Sequence, residues 1–235
     1  MIAWFRKYFK LINIVLSIYI ISFLVSFIFA NSLNFVEHVS ITNSETFQDG
    51  KIWKIFTGIT LTNIMGSFLM AFLGIFFGVS SITYLIESGM IFGKYFFNTF
   101  ENTNLTNTIL AYGPHALFEI PALIISMTLG VSLGTIVIKK YNEKYKNNNS
   151  MKITKTIILT LAIIAFLLPS QYLGENYRIV KALLLMPLFW LIAKTARETK
   201  LFESREWKQT LLDGLNIFIK VVIPLYVIAG IIEIR

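Results

Sequence analysis

The chain has 235 residues, of which 55% are hydrophobic and 14% charged, and its formal net charge is +8. Soluble domains carry roughly 25% charged residues, so a soluble monomer could not cover this much apolar surface, and a disordered chain would need the opposite balance. With no cysteine, a disulfide framework, a thiolate metal site and a cysteine nucleophile are excluded. The expected class is an all-α, polytopic transmembrane helical bundle forming a single membrane domain over 1–235.

A hydrocarbon core about 30 Å thick needs roughly 20 apolar residues in helix. The first such run, 11–31, carries no charge and follows Arg6, Lys7 and Lys10. It is longer than the apolar region of a cleavable signal peptide, and Ile28 is not the small residue that cleavage after Ala30 would need, so a retained anchor is expected. Residues 55–86 run without a charge. That is too long for one upright span and suits a hairpin of two, near 56–78 and 81–100, with a tight turn near Gly78–Ser81. Gly113 and Pro114 then suit a helix start or break before an apolar stretch at 117–138. Further runs near 153–170, 179–195 and 212–232 bring the total to about seven spans.

Cytoplasmic loops collect Lys and Arg. Residues 139–155 hold Lys139, Lys140, Lys144, Lys146, Lys152 and Lys155 against Glu143 alone. Residues 194–208 hold Lys194, Arg197, Lys200, Arg205 and Lys208 against three Glu. Residues 32–50 hold Glu37, Glu45 and Asp49 with no base. The N-terminus and both basic segments are therefore expected in the cytoplasm and 32–50 outside. An odd number of crossings must separate 45 from 139, which allows seven spans or five plus a re-entrant hairpin. The expected location is a bacterial cytoplasmic membrane, with multiple passes. By composition, Tyr141–Ser150 reads as a mobile loop. Stretch 1–10 reads as an amphipathic lead-in on the membrane surface, and Trp190 and Trp207 as members of interfacial belts. The bases lie in short loops beside the spans, without a nucleic-acid motif, so no nucleic-acid partner is expected.

Ionisable residues at membrane depth are costly and are functional candidates. His115 and Glu119 are four apart and share one helix face. Pro121 cannot donate a backbone hydrogen bond, so with Pro114 it suggests a broken helix around a polar pocket at 113–121. A His–Glu pair can serve as a proton relay, an acid–base pair or two metal ligands. Zinc needs a third ligand; His38 lies in an expected outer loop, and nothing places Glu87 near the pair. Ser80 or Ser81 with His115 would make a serine nucleophile, but the small-residue elbow is missing. The remaining reading is that His115 and Glu119 bond each other or a neighbouring helix and fix its packing. No catalytic residue, metal or cofactor is therefore assigned. Gly74 and Gly78, Gly89 and Gly93, and Gly130 and Gly134 are each four apart, a spacing that lets helices approach closely in lipid; such faces also suit a partner subunit's helix or a second copy of the chain.

The block GPHALFEIPALIISMTLGVSLG resembles the signature of the stage II sporulation protein M family. His115, Phe118, Glu119, Pro121, Ala122, Gly130 and Gly134 match, and Ala116 stands where Gly is usual. Asn63, Gly74, Gly78, Gly89 and Gly93 resemble the family's upstream Asn and spaced-Gly segment, and IPLYVIAGIIE resembles its last helix. The resemblance implies a non-enzymatic integral membrane protein working in a complex. Some members sit in gene sets for circular bacteriocins, in maturation, export or immunity. That would imply a hydrophobic peptide and a separate ABC-type ATPase as partners, because this chain has no nucleotide-binding loop. The namesake implies instead a scaffold for peptidoglycan remodelling during spore engulfment. The third alternative is an intramembrane enzyme or proton-coupled transporter using His115 and Glu119.

Overall fold

The computed structural model describes residues 2–30, 52–167 and 177–233, so His38 and the acidic segment 32–50 lie outside the described residues. Every regular element described is helical: α1 (Ile2–Ile28), α2 (Ile52–Phe72), α3 (Val79–Asn102), α4 (Leu105–Lys144), α5 (Asn149–Leu167), α6 (Tyr177–Thr199), α7 (Arg205–Ile217) and α8 (Ile223–Glu233). Helices occupy all seven stretches read as spans. Among the described residues, four segments are long and apolar enough to cross a membrane: Ile2–Ile28, Gly58–Ile75, Leu105–Lys144 and Arg205–Ile232. α3 is not one of them, and it carries Glu87, Lys94 and Glu101.

Which side chains are hidden shows what surrounds the protein. On α1 the buried face holds Tyr19, Ser22 and Ser26, while Ile14, Ile21 and Ile28 are 57%, 60% and 67% exposed. Ser80, Ser81, Thr83, Ser126, Thr128 and Ser132 are buried as well. Small polar residues share the interior with apolar side chains while many large apolar ones face outward, which matches helices packed in lipid, where small residues let helices approach closely. This is a membrane protein.

Local chemistry sets the helix ends. Asn104 caps α4, its Oδ1 accepting from Asn107 N at 2.9 Å, and Asn148 caps α5, accepting from Met151 N at 3.0 Å. α4 thus starts twelve residues before the expected 117. It runs through Pro114 and Pro121 without a break, contrary to the broken-helix expectation. Both prolines are exposed. At 40 residues, or ~60 Å, α4 exceeds the bilayer thickness. The turn after α2 lies slightly earlier than expected, as a 3-10 turn at Leu73–Ile75 followed by Phe76–Gly78. Gly78 has φ +78°, a conformation glycine adopts without strain. Between α7 and α8, Phe218–Val222 form a π turn. Pro224 offers no N–H to the carbonyl of Lys220, and a π turn just before a proline is one way for a helix to absorb that loss.

The chain divides into two compact units, the first comprising 1–69, 85–126 and 216–235 and the second 70–84 and 127–215. The core of the first gathers Trp4, Ala122, Ile125, Phe218, Val222 and Tyr226. Trp4 is buried there, and residues 2–10 form the opening turns of α1, continuous with the rest of that helix. Phe23 and Phe27 of α1 interleave with Phe92, Phe96 and Phe97 of α3 at centroid distances of 5.6–6.1 Å.

In the second unit α5 packs on α6. The segment 141–150, expected to be mobile, is a tight helical hairpin. Tyr141 is fully buried and donates to Met151 O at 2.5 Å, and the buried Tyr145 donates to Glu198 Oε2 at 2.6 Å. Trp207 is buried with its ring against Phe202, whereas Trp190 is exposed beneath Lys194 Nζ. Burial, then the Glu198 carboxylate, holds the Tyr145 phenol above its usual range. A raised acid pKa makes this contribution complete below the ordinary phenol value, about 10, and lost only as pH climbs through the folded value. Tyr145→Phe is therefore expected to lower stability by about 1–2 kcal/mol, equally at pH 7 and pH 9, as read from thermal midpoints in detergent.

Candidate functional site

The first unit brings together three polar residues singled out from the sequence. Asn63 of α2 donates through Nδ2 to Glu119 Oε1 of α4 at 3.0 Å. His115 Nε2 stands 4.0 Å from Glu119 Oε2, one turn earlier on the same helix. That is ion-pair distance but too long for a hydrogen bond. The side chains are 17% exposed at His115 and 36% at Glu119, so the carboxylate is half-buried rather than enclosed. Tyr19 of α1 also lies within electrostatic reach of Glu119. The carboxylate joins α2 to α4, and a hydrogen bond to a charged group is worth about 1.5–3 kcal/mol when well formed; partial exposure puts this one toward the low end.

Around the pair the walls are mostly apolar. The Tyr112 ring sits 6.1 Å from the His115 ring and contacts Phe92 and Phe96, while its hydroxyl hydrogen-bonds Thr99 Oγ1 at 2.9 Å. Beside it an open groove is lined by Phe92, Phe96, Ile109, Leu117, Ile120 and Pro121. The groove beside 113–121 is thus apolar, with Glu119 bonded to Asn63 and His115 set between Glu119 and the Tyr112 ring. Glu87 is exposed on α3, and among the described residues no three His, Asp or Glu side chains gather as a metal would need. Both serines of the Gly78–Ser81 segment are buried. Ser81 Oγ donates to Met70 O at 2.8 Å, and Ser80 is fully buried without a hydrogen-bond partner among the described residues.

The paired glycines mark close helix contacts. A Cβ at Gly89 would lie 2.9 Å from Tyr19 O, and one at Gly93 would lie 3.1 Å from Ser26 Cβ, where Ser26 Oγ donates to Met90 O at 2.5 Å. In the second unit, a Cβ at Gly74 would meet the Gly130 backbone, and one at Gly134 would lie 2.5 Å from Phe77 C.

The model of the family described as stage II sporulation protein M, SpoIIM, matches residues 15–169. The chain belongs to the SpoIIM family. No curated protein and no solved structure matches it. The SpoIIM match takes in Asn63, His115, Glu119 and all six paired glycines, and ends before IPLYVIAGIIE. Among the polar contacts of the SpoIIM chain that sequence reasoning missed, Ser67 of α2 and Tyr226 of α8 form a short, buried hydrogen bond beside Ala122 and Phe218. The buried face of α2 was the available signal, since Ser67 follows Asn63 by one helical turn. Tyr226→Phe keeps the ring and removes the bond, and is expected to lower stability by about 1 kcal/mol in a thermal-unfolding assay.

Proposed function

We propose that this SpoIIM-family chain is a non-enzymatic, multi-pass subunit of a complex in a bacterial cell membrane, assisting maturation or export of, or immunity to, a membrane-active peptide together with a separate ATPase. The observation that carries it is how the polar residues at membrane depth are used. Asn63 holds Glu119, Ser67 holds Tyr226, and Ser26 holds a carbonyl of α3. Each joins one helix to another, which is what a scaffold or helper subunit needs. The proposed topology has the N-terminus in the cytoplasm and seven crossings, supported by the basic residues at 139–155 and 194–208. Five crossings remain the alternative, with α2 and α3 forming a re-entrant hairpin. The ATPase would dock on the cytoplasmic side.

The experiment is purification from the native membrane in mild detergent. A co-purifying ATPase and a hydrophobic peptide support the reading; a chain always recovered alone, or only with copies of itself, counts against it.

The family's name favours a second reading, a scaffold for peptidoglycan remodelling during spore engulfment. Deleting the gene in a spore former and finding normal engulfment would dismiss it. The third reading, an intramembrane enzyme or proton-coupled transporter, rests on the 4.0 Å approach of His115 to Glu119.

A further inference from the structure

The hairpin joining α4 to α5 encloses a half-open cavity of about 310 Å³ in the second unit, lined by residues that include Lys146, Lys152 and Lys155 with Asn142, Tyr141 and Thr156. No carboxylate lines it. Of the acids near it, Glu143 is engaged by Lys140 at 3.6 Å, and Glu198 accepts at 2.6 Å from the hydroxyl of Tyr145, which also lines the cavity. Lys155 is positioned from two sides, its Nζ donating to Asn142 Oδ1 at 2.8 Å and lying 5.4 Å from the Tyr141 ring centroid. Lys146 and Lys152 are exposed and form no ion pair among the described residues. Three lysines thus line one small cavity, and no carboxylate among its lining residues pairs with them. The α5 N-terminus adds little, because Asn148 Oδ1 already accepts from Met151 N.

We propose that this cavity is a binding site for a phosphate anion, and that the phosphate is that of an anionic glycerophospholipid headgroup. The depth argues for lipid. The uncharged apolar stretch of α4 ends at Ile138 and that of α5 begins, beyond Lys155, at Ile157, so Asn142, Lys152 and Lys155 each stand within about 8 Å of the end of their own stretch along the helix axis. That is where phospholipid phosphates lie once the hairpin emerges from the bilayer, a placement that rests on the topology proposed above. Juxtamembrane lysines at that level are drawn to anionic lipid. Here the cavity, the Asn142 carbonyl holding Lys155 and the rigid Tyr141 wall make a defined site rather than a diffuse charge.

The test uses the full chain, delipidated in neutral detergent, with native mass spectrometry counting bound short-chain phosphatidylglycerol, phosphatidylcholine or inorganic phosphate. Phosphatidylglycerol is expected to bind in preference to phosphatidylcholine. The triple variant Lys146→Gln, Lys152→Gln, Lys155→Gln is expected to weaken that binding about tenfold or more. Arg197→Gln, Arg205→Gln, Lys208→Gln removes the same charge from exposed sites elsewhere and is expected to change it less than about twofold. Equal losses in the two triples would overturn the site in favour of general charge attraction. Inorganic phosphate binding as tightly as the lipid would overturn the lipid assignment. Because Lys155 is partly buried, Lys146→Gln with Lys152→Gln is run beside the triple, and the same loss is expected with an unchanged thermal midpoint. Binding in detergent does not depend on topology, so labelling of Asn147→Cys in sided vesicles tests the membrane placement separately.

Discussion

Alanine at Gly74, Gly130 or Gly134 is expected to remove most of the folded protein from the membrane fraction, whereas alanine at Gly58 leaves it intact. At Gly74 the new methyl would strike the Gly130 backbone, and at Gly134 it would strike the backbone of Phe77 and Gly78. At Gly130 it meets Ser81 Oγ and then the backbone of Ala71, at 2.9 Å from its oxygen. Backbone cannot rotate aside as a side chain does, so the helices themselves must part. Overpacking of a tight core costs about 1–3 kcal/mol when side chains absorb it, and these sites stand at or above the top of that range. Lipid supplies no compensating hydrophobic drive to re-form the contact. Gly58 has nothing within 4 Å of its Cβ position, and an exposed helical Gly→Ala change stabilises by about 1 kcal/mol. Size-exclusion profiles and thermal midpoints of the four variants in detergent check the contrast. A Gly134→Ala protein as stable as Gly58→Ala would show that the helices do not meet as described.

Glu119 separates shape from charge. Glu119→Leu deprives Asn63 of its acceptor and, with the carboxylate partly exposed, is expected to cost about 1.5 kcal/mol. Glu119→Gln retains an oxygen that accepts from Asn63 Nδ2 and is expected to stay within about 1 kcal/mol of the parent. A double-mutant cycle of Glu119→Leu with Asn63→Leu should return a coupling of about 0.5–3 kcal/mol. If Glu119→Gln assembles normally and the complex still works, the pair is a helix fastener. Assembly with loss of activity would favour the proton-relay reading.

Much of the architecture was legible because lipid imposes a simple rule of about 20 apolar residues per crossing, and helices lie at every stretch so read. The helix ends were less so. The capping residues Asn104 and Asn148 were visible in the chain, yet Gly113-Pro114 suggested a start at 117, because prolines disfavour helices far more in water than at membrane depth. The hairpin at 141–150 departs from expectation for the opposite reason. Its Asn-rich composition suggests mobility, while Tyr141 and Tyr145 are buried by contacts with Met151 and Glu198 that no local pattern reveals. The same holds at the candidate site. That His115 and Glu119 share a face follows from spacing, but that Asn63 reaches Glu119 across 56 residues is a tertiary fact, prefigured only by the family resemblance.

The absence of native cysteine makes the chain a ready background for sided labelling, which tests the membrane account most directly. Ser44→Cys and Asn147→Cys are introduced singly and treated with a membrane-impermeant maleimide on intact cells and on inverted vesicles. The account predicts that position 44 reacts from outside and position 147 only from the cytoplasmic face. Reaction of both from the same side would contradict it.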